Sequence, residues 1–400
     1  MSVNLGDYIG PYRIMENFRV AGGRSRISFA QQGGKRWFVK EFLSPKYPTP
    51  DSPGSPKTKE YKRKMCEAFE EQQHKIMKIT KDACSSGSNL ICAKDLIRKD
   101  ASYYKISEAI DTTTMLPEDV AKLPVKDILS ILKSLCQGLR ILHINNIVHG
   151  DLKPENIIIK KSEMTGFYYA KLIDFDDSYF SGIPNTNREM VVGTPEYYSP
   201  EVFAYITDED DVIPGSALTC ASDIYTLGLL FCEYLTGKRP EFDVEKHRYA
   251  YMASTSGETL IVPNHKNVSE QMRNIISNML SRDFSARPTI SDIVNWLKTP
   301  ETHIEMREEK PIESRATKDD ILKHAEEDNS VKHTTEFTKP FLRFGKKISE
   351  CFDKMATNKK TTSDHSPKKM IIHTSSDRPK SMFEPKMDKP RLIINSSAKH

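Results

Sequence analysis

Between residues 8 and 42 apolar and polar positions alternate with the two-residue period of strands. "YRIMENFRV", "RISFAQ" and "KRWFVKEF" read as three strands, with "QQGGK" as a hairpin turn between the last two. The segment 44–60 carries five prolines, which predicts an exposed Pro-rich loop. From about 60 to 80 the period lengthens. Met65, Phe69, Gln72, Ile76 and Ile79 are spaced 4, 3, 4 and 3 apart, one face of a helix. "NLICAKDLIRKDASYYKISEAI" returns to two strands. Past residue 115 the pattern is mainly helical. The strongest stripe is Ile128, Ile131, Leu132, Leu135, Leu139 and Leu142 in "VKDILSILKSLCQGLRILHINN". Strands first and helices afterwards predict an α+β fold, a small β-rich lobe over 1–110 and a larger helical lobe over 111–299.

Composition changes near residue 300, where Lys, Ser, Thr, Asp and Pro replace the aromatics. The segment 300–400 is expected to be a largely disordered tail. Sixteen basic and seven acidic residues fall in 330–400, so the tail is basic while the body is mildly acidic. Within the tail, Phe337, Phe341, Phe344, Ile348, Phe352 and Met355 recur at helical steps between lysines and an arginine. This makes 337–355 a basic amphipathic helix candidate. Its candidate contacts are an anionic membrane, a partner protein or the folded domain itself.

Seven cysteines, none in a C-x-x-C pair, are expected to be reduced thiols rather than metal ligands. The start "MSVNLGDYIG" has no signal-peptide pattern, and "LGLLFCEYL" is too short to span a bilayer, so it reads as a core helix. A cytoplasmic location is the expectation, and no nucleic-acid partner is.

The stretch "VHGDLKPENIII" (148–159) holds the densest chemistry. Phosphoryl transfer needs a positioned hydroxyl, metal ions across the phosphates and cations on the developing charge. Asp151 is able to orient a hydroxyl proton, Lys153 to neutralise the transferring group, and Asn156 to offer a neutral oxygen to a metal. Asp174 follows in "KLIDFDD", a carboxylate suited to a hard cation such as Mg²⁺.

Lys40 in "WFVK", then "HGDLKPEN", "DFD", "GTPEYYSPE", "SDIYTLG" and "RDFSARPT" together resemble the signature set of eukaryotic-type protein kinases, in the family's order across roughly residues 10–298. The resemblance implies a bilobal kinase fold and an ATP-dependent enzyme phosphorylating Ser/Thr hydroxyls of protein substrates, possibly including itself. It also implies Mg²⁺ as the metal, with Mn²⁺ as a substitute. Lys40 would hold the α- and β-phosphates, Asp151 would be the base, Lys153 would meet the γ-phosphate, and Asn156 and Asp174 would hold metal. Thr194 would contact Asp151 and Lys153. Glu201 would pair with Arg287, and Asp223 would anchor the catalytic loop. Glu108 to Ile110 would meet adenine, with Ser107 behind it.

The departures are specific. Gly22 and Gly23 are what remains of the phosphate loop, flanked by Arg24 and Arg26. The carboxylate expected opposite Lys40 falls on Glu71, with Gln72 as the alternative by spacing. "DFD" replaces D-F-G, so Asp176 should stiffen that turn. Gly150 stands where an arginine usually binds a loop phosphate, which implies that loop phosphorylation is not the switch. These departures also leave open an alternative: a pseudokinase serving as a nucleotide-binding or scaffold module.

Overall fold

The computed structural model describes residues 3–298 apart from 22–24, 86–87, 111–114, 186–190, 192 and 208–212. The amino-terminal lobe is built from β1 (Tyr8–Ile9), β2 (Tyr12–Ile14), β3 (Arg19–Ala21), β4 (Ser25–Gln32), β5 (Lys35–Phe42), α1 (Pro56–Ser85), β6 (Ala93–Lys99) and β7 (Ser102–Glu108). Its strands make one antiparallel sheet in the order β1-β2-β4-β5-β7-β6, with β3 also on β4. The β4–β5 hairpin turns at Gly33 and Gly34, whose φ values are +59° and +75°. Both turn residues need the left-handed region there, which is why "GG" marks this connection. One face of the sheet buries Ile14, Ala30, Val39, Tyr104 and Ile106. The expected first strand is split into β2 and β3 by the intervening residues Met15–Phe18.

Helix α1 begins earlier than the prolines suggested. Pro56 opens it, and the Ser55 hydroxyl accepts from the Thr58 amide at 3.2 Å. Proline at a first helical position lacks only an amide that would be unbonded anyway, and serine before it caps the end. The loop reading of 44–60 therefore holds only up to Ser55. The buried face also sits one position from the expected stripe: Cys66, Gln73, Ile76 and Thr80 are buried, while Gln72 is half-buried. Two glutamines in succession hide the register, since either completes an apolar-to-polar spacing.

The carboxy-terminal lobe contains α2 (Pro117–Val120), α3 (Val125–His143), β8 (Ile147–Val148), β9 (Ile157–Lys161), β10 (Tyr168–Leu172), β11 (Tyr179–Phe180), α4 (Pro200–Thr207), α5 (Cys220–Thr236), α6 (Ala250–Thr255), α7 (Glu270–Met279) and α8 (Ile290–Trp296). All six residues of the α3 stripe are fully buried. Each such side chain contributes about 1.5–3 kcal/mol of burial. Helix α5 is buried from Ser222 to Thr236, its polar members Asp223, Thr226 and Glu233 each hydrogen-bonded.

Two small antiparallel ribbons position the polar loops. Strand β9 pairs with β10, Ile157 opposite Leu172, and β8 pairs with β11, Val148 opposite Tyr179. The segment 149–156 is thus held between β8 and β9, and 173–178 between β10 and β11. The isoleucines after Asn156 are buried in β9 and anchor one end of the first loop.

Cys84 and Cys92 form a disulfide across the end of α1 and the approach to β6, which corrects the expectation of reduced thiols for this pair. A spacing of eight residues carries no signature, so only the fold brings the two together. Cys66, Cys136, Cys220 and Cys232 are free. Among the described residues no helix is long and apolar enough to cross a membrane. The segment 337–355 lies outside the described residues.

Candidate active site

Asp223, near the start of α5, fixes the loop that begins the site. Its carboxylate accepts from the His149 amide at 2.7 Å and the Gly150 amide at 3.1 Å, and it meets His143 Nε2 at 2.9 Å. His143 is a partner that sequence reasoning missed; it ends α3, and only the crossing of α3 and α5 reveals it. Gly150 has φ +83°, and a Cβ there would lie 2.6 Å from the Asp177 carbonyl oxygen. No side chain fits this position, so Gly150 is a packing requirement of the loop.

Asp151, Lys153, Asn156 and Thr194 converge. Lys153 Nζ is 2.6 Å from Asp151 Oδ2 and donates to the Thr194 hydroxyl at 2.8 Å; that hydroxyl donates to Asp151 Oδ1 at 2.9 Å. Asn156 Nδ2 donates to the Asp151 backbone oxygen at 2.7 Å and to Oδ2 at 3.1 Å. With its amide nitrogen so engaged, Asn156 presents Oδ1 as its other polar end.

From the sheet side, Lys40 on β5 reaches Asp174 Oδ1 at 2.9 Å and Oδ2 at 2.7 Å, and Asp176 Oδ2 at 2.6 Å. Asp174 has φ +63°, a left-handed backbone that Asp tolerates better than most residues and that turns its carboxylate out of the β10 direction. Burial alone would lower the Lys40 ammonium, but Asp176 and Asp174 outweigh it and hold it above the ordinary lysine range. Asp176 is held below the usual carboxylate range: burial opposes this, and Lys105 and Lys40 overcome it. Burial and the neighbouring charge of Asp176 push Asp174 up despite Lys40. Asp177 is pushed up to about 7 by burial and by the charges of Asp151, Asp176 and Asp174.

The Asp174 carboxylate and the free amide oxygen of Asn156 are oxygen donors of the kind a hard divalent cation takes. Asp174 and Asn156 are the residues that would hold it.

Glu71 does not meet Lys40. Its side chain is 66% exposed and pairs with Lys75 one turn along α1, at 2.6 Å. The residues of α1 that face the site are amides: Gln72 Nε2 donates to the Ser178 carbonyl at 2.7 Å, and Gln73 Nε2 to the Asp176 carbonyl at 3.2 Å. Lys105, on β7 directly opposite Lys40, donates to Gln73 Oε1 at 2.6 Å and pairs with Asp176 Oδ1. Asp176, Lys105 and Gln73 were not foreseen as a group. The one hint is a lysine between two buried residues, Tyr104 and Ile106.

Gly22, Gly23 and Arg24 lie outside the described residues. Arg26 is not turned to a phosphate; its Nε donates to the buried Glu41 at 2.8 Å. Glu108 ends β7 and Ile110 follows it in the connection to the second lobe. Ser107 lies opposite Phe38 on the β5–β7 ladder, in step with the Lys40–Lys105 pair two residues away, and therefore on the same sheet face as Lys40.

Arg287 closes the lower part. Its guanidinium grips Glu201 with two bonds, at 2.7 and 2.8 Å, and both side chains are within 1% of full burial.

A small sheet-based lobe and a large helical lobe, with Lys40 of one paired to Asp174 of the other and Asp151 and Asn156 on the neighbouring loop, define the class of molecule. The protein kinase domain model matches residues 57–297, more than half of the chain, and the chain belongs to that family. The chain is similar to the ovarian-specific serine/threonine-protein kinase Lok of Drosophila melanogaster, 29% identical over 246 residues, 56% of this chain and 45% of that protein. It is also similar to the serine/threonine-protein kinase PrkC of Bacillus subtilis, 29% identical over 238 residues, 56% of this chain and 34% of that protein. The probable serine/threonine-protein kinase nek3 of Dictyostelium discoideum is 32% identical over 168 residues, 42% of this chain and 14% of that protein. The chain thus spans less than half the length of these relatives.

Proposed function

We propose that this chain is a serine/threonine protein kinase that transfers the γ-phosphate of Mg-ATP to Ser or Thr hydroxyls of proteins. The observation that carries this reading is the triangle of Asp151, Lys153 and Thr194. Asp151 orients the substrate hydroxyl and accepts its proton, while Thr194 and Asn156 fix the carboxylate's rotamer. Lys153 places a cation beside the base, where negative charge moves as the hydroxyl oxygen attacks. Lys40 holds the α- and β-phosphate end from the sheet side. Asn156 and Asp174 hold the metal, Mg²⁺ or in its place Mn²⁺. When bound, Mg-ATP supplies the phosphoryl group and neutralises its developing charge. Glu108 and Ile110 meet adenine through backbone groups.

The Ser/Thr assignment is supported by Lys153 two residues after the base and by the printed names of the relatives. A role as a binding scaffold has less support, because binding alone does not require a base, an adjacent lysine and metal-ligand types together. The tail, with its segment 337–355, is a proposed contact for anionic membrane, a partner or the kinase domain, and the cytoplasm is the proposed location. Gly150 supports activity that does not wait for a loop phosphate.

The test is label transfer from Mg-ATP to a generic basic protein by the purified full chain, beside Asp151→Ala and Lys40→Met. Transfer by the wild type alone is expected. Equal transfer by Asp151→Ala would overturn the assignment of the base, and no transfer by any of the three would overturn the proposed activity.

A further inference from the structure

Helix α1 lies against the site yet brings no carboxylate to Lys40. Glu71 points to solvent, and Glu70 accepts from the Tyr103 hydroxyl at 2.6 Å. The helix positions that reach inward are Gln72 and Gln73. Lys40 is a flexible four-carbon stem ending in a compact charge, and without a fixed partner it would not keep one geometry. Its two partners are unlike. Asp174 is 33% exposed, at the cleft, and is the carboxylate suited to the metal. Once its oxygens are shared with a divalent cation, much of its hold on Lys40 is lost. Asp176 is 7% exposed and lies behind it, 2.6 Å from the same ammonium.

Asp176 is itself held by groups other than Lys40. Its second oxygen pairs with Lys105. Lys105 bonds Gln73, and Gln73 returns a bond to the Asp176 backbone. Two lysines and two carboxylates leave no net charge to bury, which an isolated Asp176–Lys40–Lys105 group would not achieve.

We infer that Asp176 is the positioning residue for Lys40, the fixed counter-ion that keeps its ammonium aimed at the nucleotide phosphates while Asp174 serves the metal, with Lys105 and Gln73 locking Asp176 in place. The third residue of "DFD" thus gives Lys40 the carboxylate that Glu71 on α1 does not. The ion pair is carried by the loop, and the helix contributes only neutral hydrogen bonds to it.

This inference rests on the kinase reading, so its test reads nucleotide affinity rather than phosphate transfer. Binding of Mg-ATP to the full chain is measured by calorimetry, with melting temperature recorded for each variant. Asp176→Asn is expected to weaken Mg-ATP at least tenfold. Adding Gln73→Glu to it returns a carboxylate to Lys105 but none to Lys40, and is expected to recover melting temperature without recovering affinity. The double variant Asp176→Asn/Lys105→Gln removes one charge of each sign and guards against misfolding of the single variant. It too is expected to bind at least tenfold more weakly. The inference is overturned if that double variant binds within twofold of wild type, or if Gln73→Glu restores the affinity of Asp176→Asn, because charge balance at Lys105 rather than a partner for Lys40 would then account for the loss. Wild type that binds Mg-ATP but transfers no phosphate would sink the kinase reading and leave this one standing.

Discussion

Lys153 and Asp151 form an ion pair 2.6 Å apart that the Thr194 hydroxyl closes into a triangle. The hydroxyl is at once donor to the carboxylate and acceptor from the ammonium, so it sets the distance at which both act. Loss of a hydrogen bond to a charged group costs about 1.5–3 kcal/mol. Thr194→Ala is therefore expected to lower kcat by about ten- to a hundredfold. Asp151→Ala should cost about 10²–10⁴-fold, the usual worth of a positioned base. Steady-state kinetics with a generic basic protein checks both, and a Thr194→Ala enzyme as fast as wild type would remove the triangle from the mechanism.

The Glu201–Arg287 pair governs stability rather than chemistry. Arg287 also bonds the Ala221 and Ser281 carbonyls, each at 2.8 Å, so its loss leaves an unpaired buried carboxylate and two bare oxygens. Arg287→Ala should cost about 3–5 kcal/mol, read by chemical denaturation.

The same pair sets an acid limit. Burial would raise Glu201, but Arg287 and the hydroxyl of Ser222 hold it below its ordinary value. A carboxylate lowered in the folded state contributes stability that is fully present above the unfolded pKa, about 4.3 for Glu. That contribution is lost as pH falls through the lower folded value. Glu201→Gln should melt well below wild type at pH 7, and the gap should narrow as pH drops below about 4. A constant gap from pH 7 to 3 would contradict the assignment.

Gly150 allows no side chain. Left-handed backbone costs an L-residue about 1–2 kcal/mol, and the Asp177 oxygen stands where Cβ would go. Gly150→Ala and Gly150→Arg should both destabilise and slow the enzyme. In particular Gly150→Arg should not create activity that phosphatase treatment abolishes. An arginine variant dependent on a phosphate between 178 and 194 would show that the loop accommodates the larger residue.

Ser107 is small, but Phe38 faces the same side of the sheet directly opposite it. The wild type should accept N6-benzyl-ATP as a donor, and Phe38→Ala should improve its use relative to ATP. Failure of both enzymes to transfer from the analogue would remove Ser107 from the back of the adenine site.

Contiguous motifs were legible because they act through local geometry. "VHGDLKPENIII" already contains Asp151, Lys153, Asn156 and the anchoring strand, and the distances from Asp151 to Lys153 and Asn156 follow from a single tight loop. The α3 stripe and the "GG" hairpin were equally readable, since periodicity and backbone preference belong to the residues themselves. Helix α1 was readable as a helix but not in register. Its inward face is chosen by what packs on it, and neighbouring Glu70, Glu71, Gln72 and Gln73 are chemically too alike to declare which one turns in.

The sequence alone therefore determined the two-lobed order of elements, the polar loop 149–156 and the Glu201–Arg287 pairing. Tertiary structure alone decided the partner of Lys40, the burial of Lys105 against Asp176, the clasp of His143 on Asp223 and the bond between Cys84 and Cys92. The physical reason is that each of these depends on the meeting of residues from different elements. Charge and hydrogen bonding reward such meetings over a few ångströms, a range that spacing along the chain does not record.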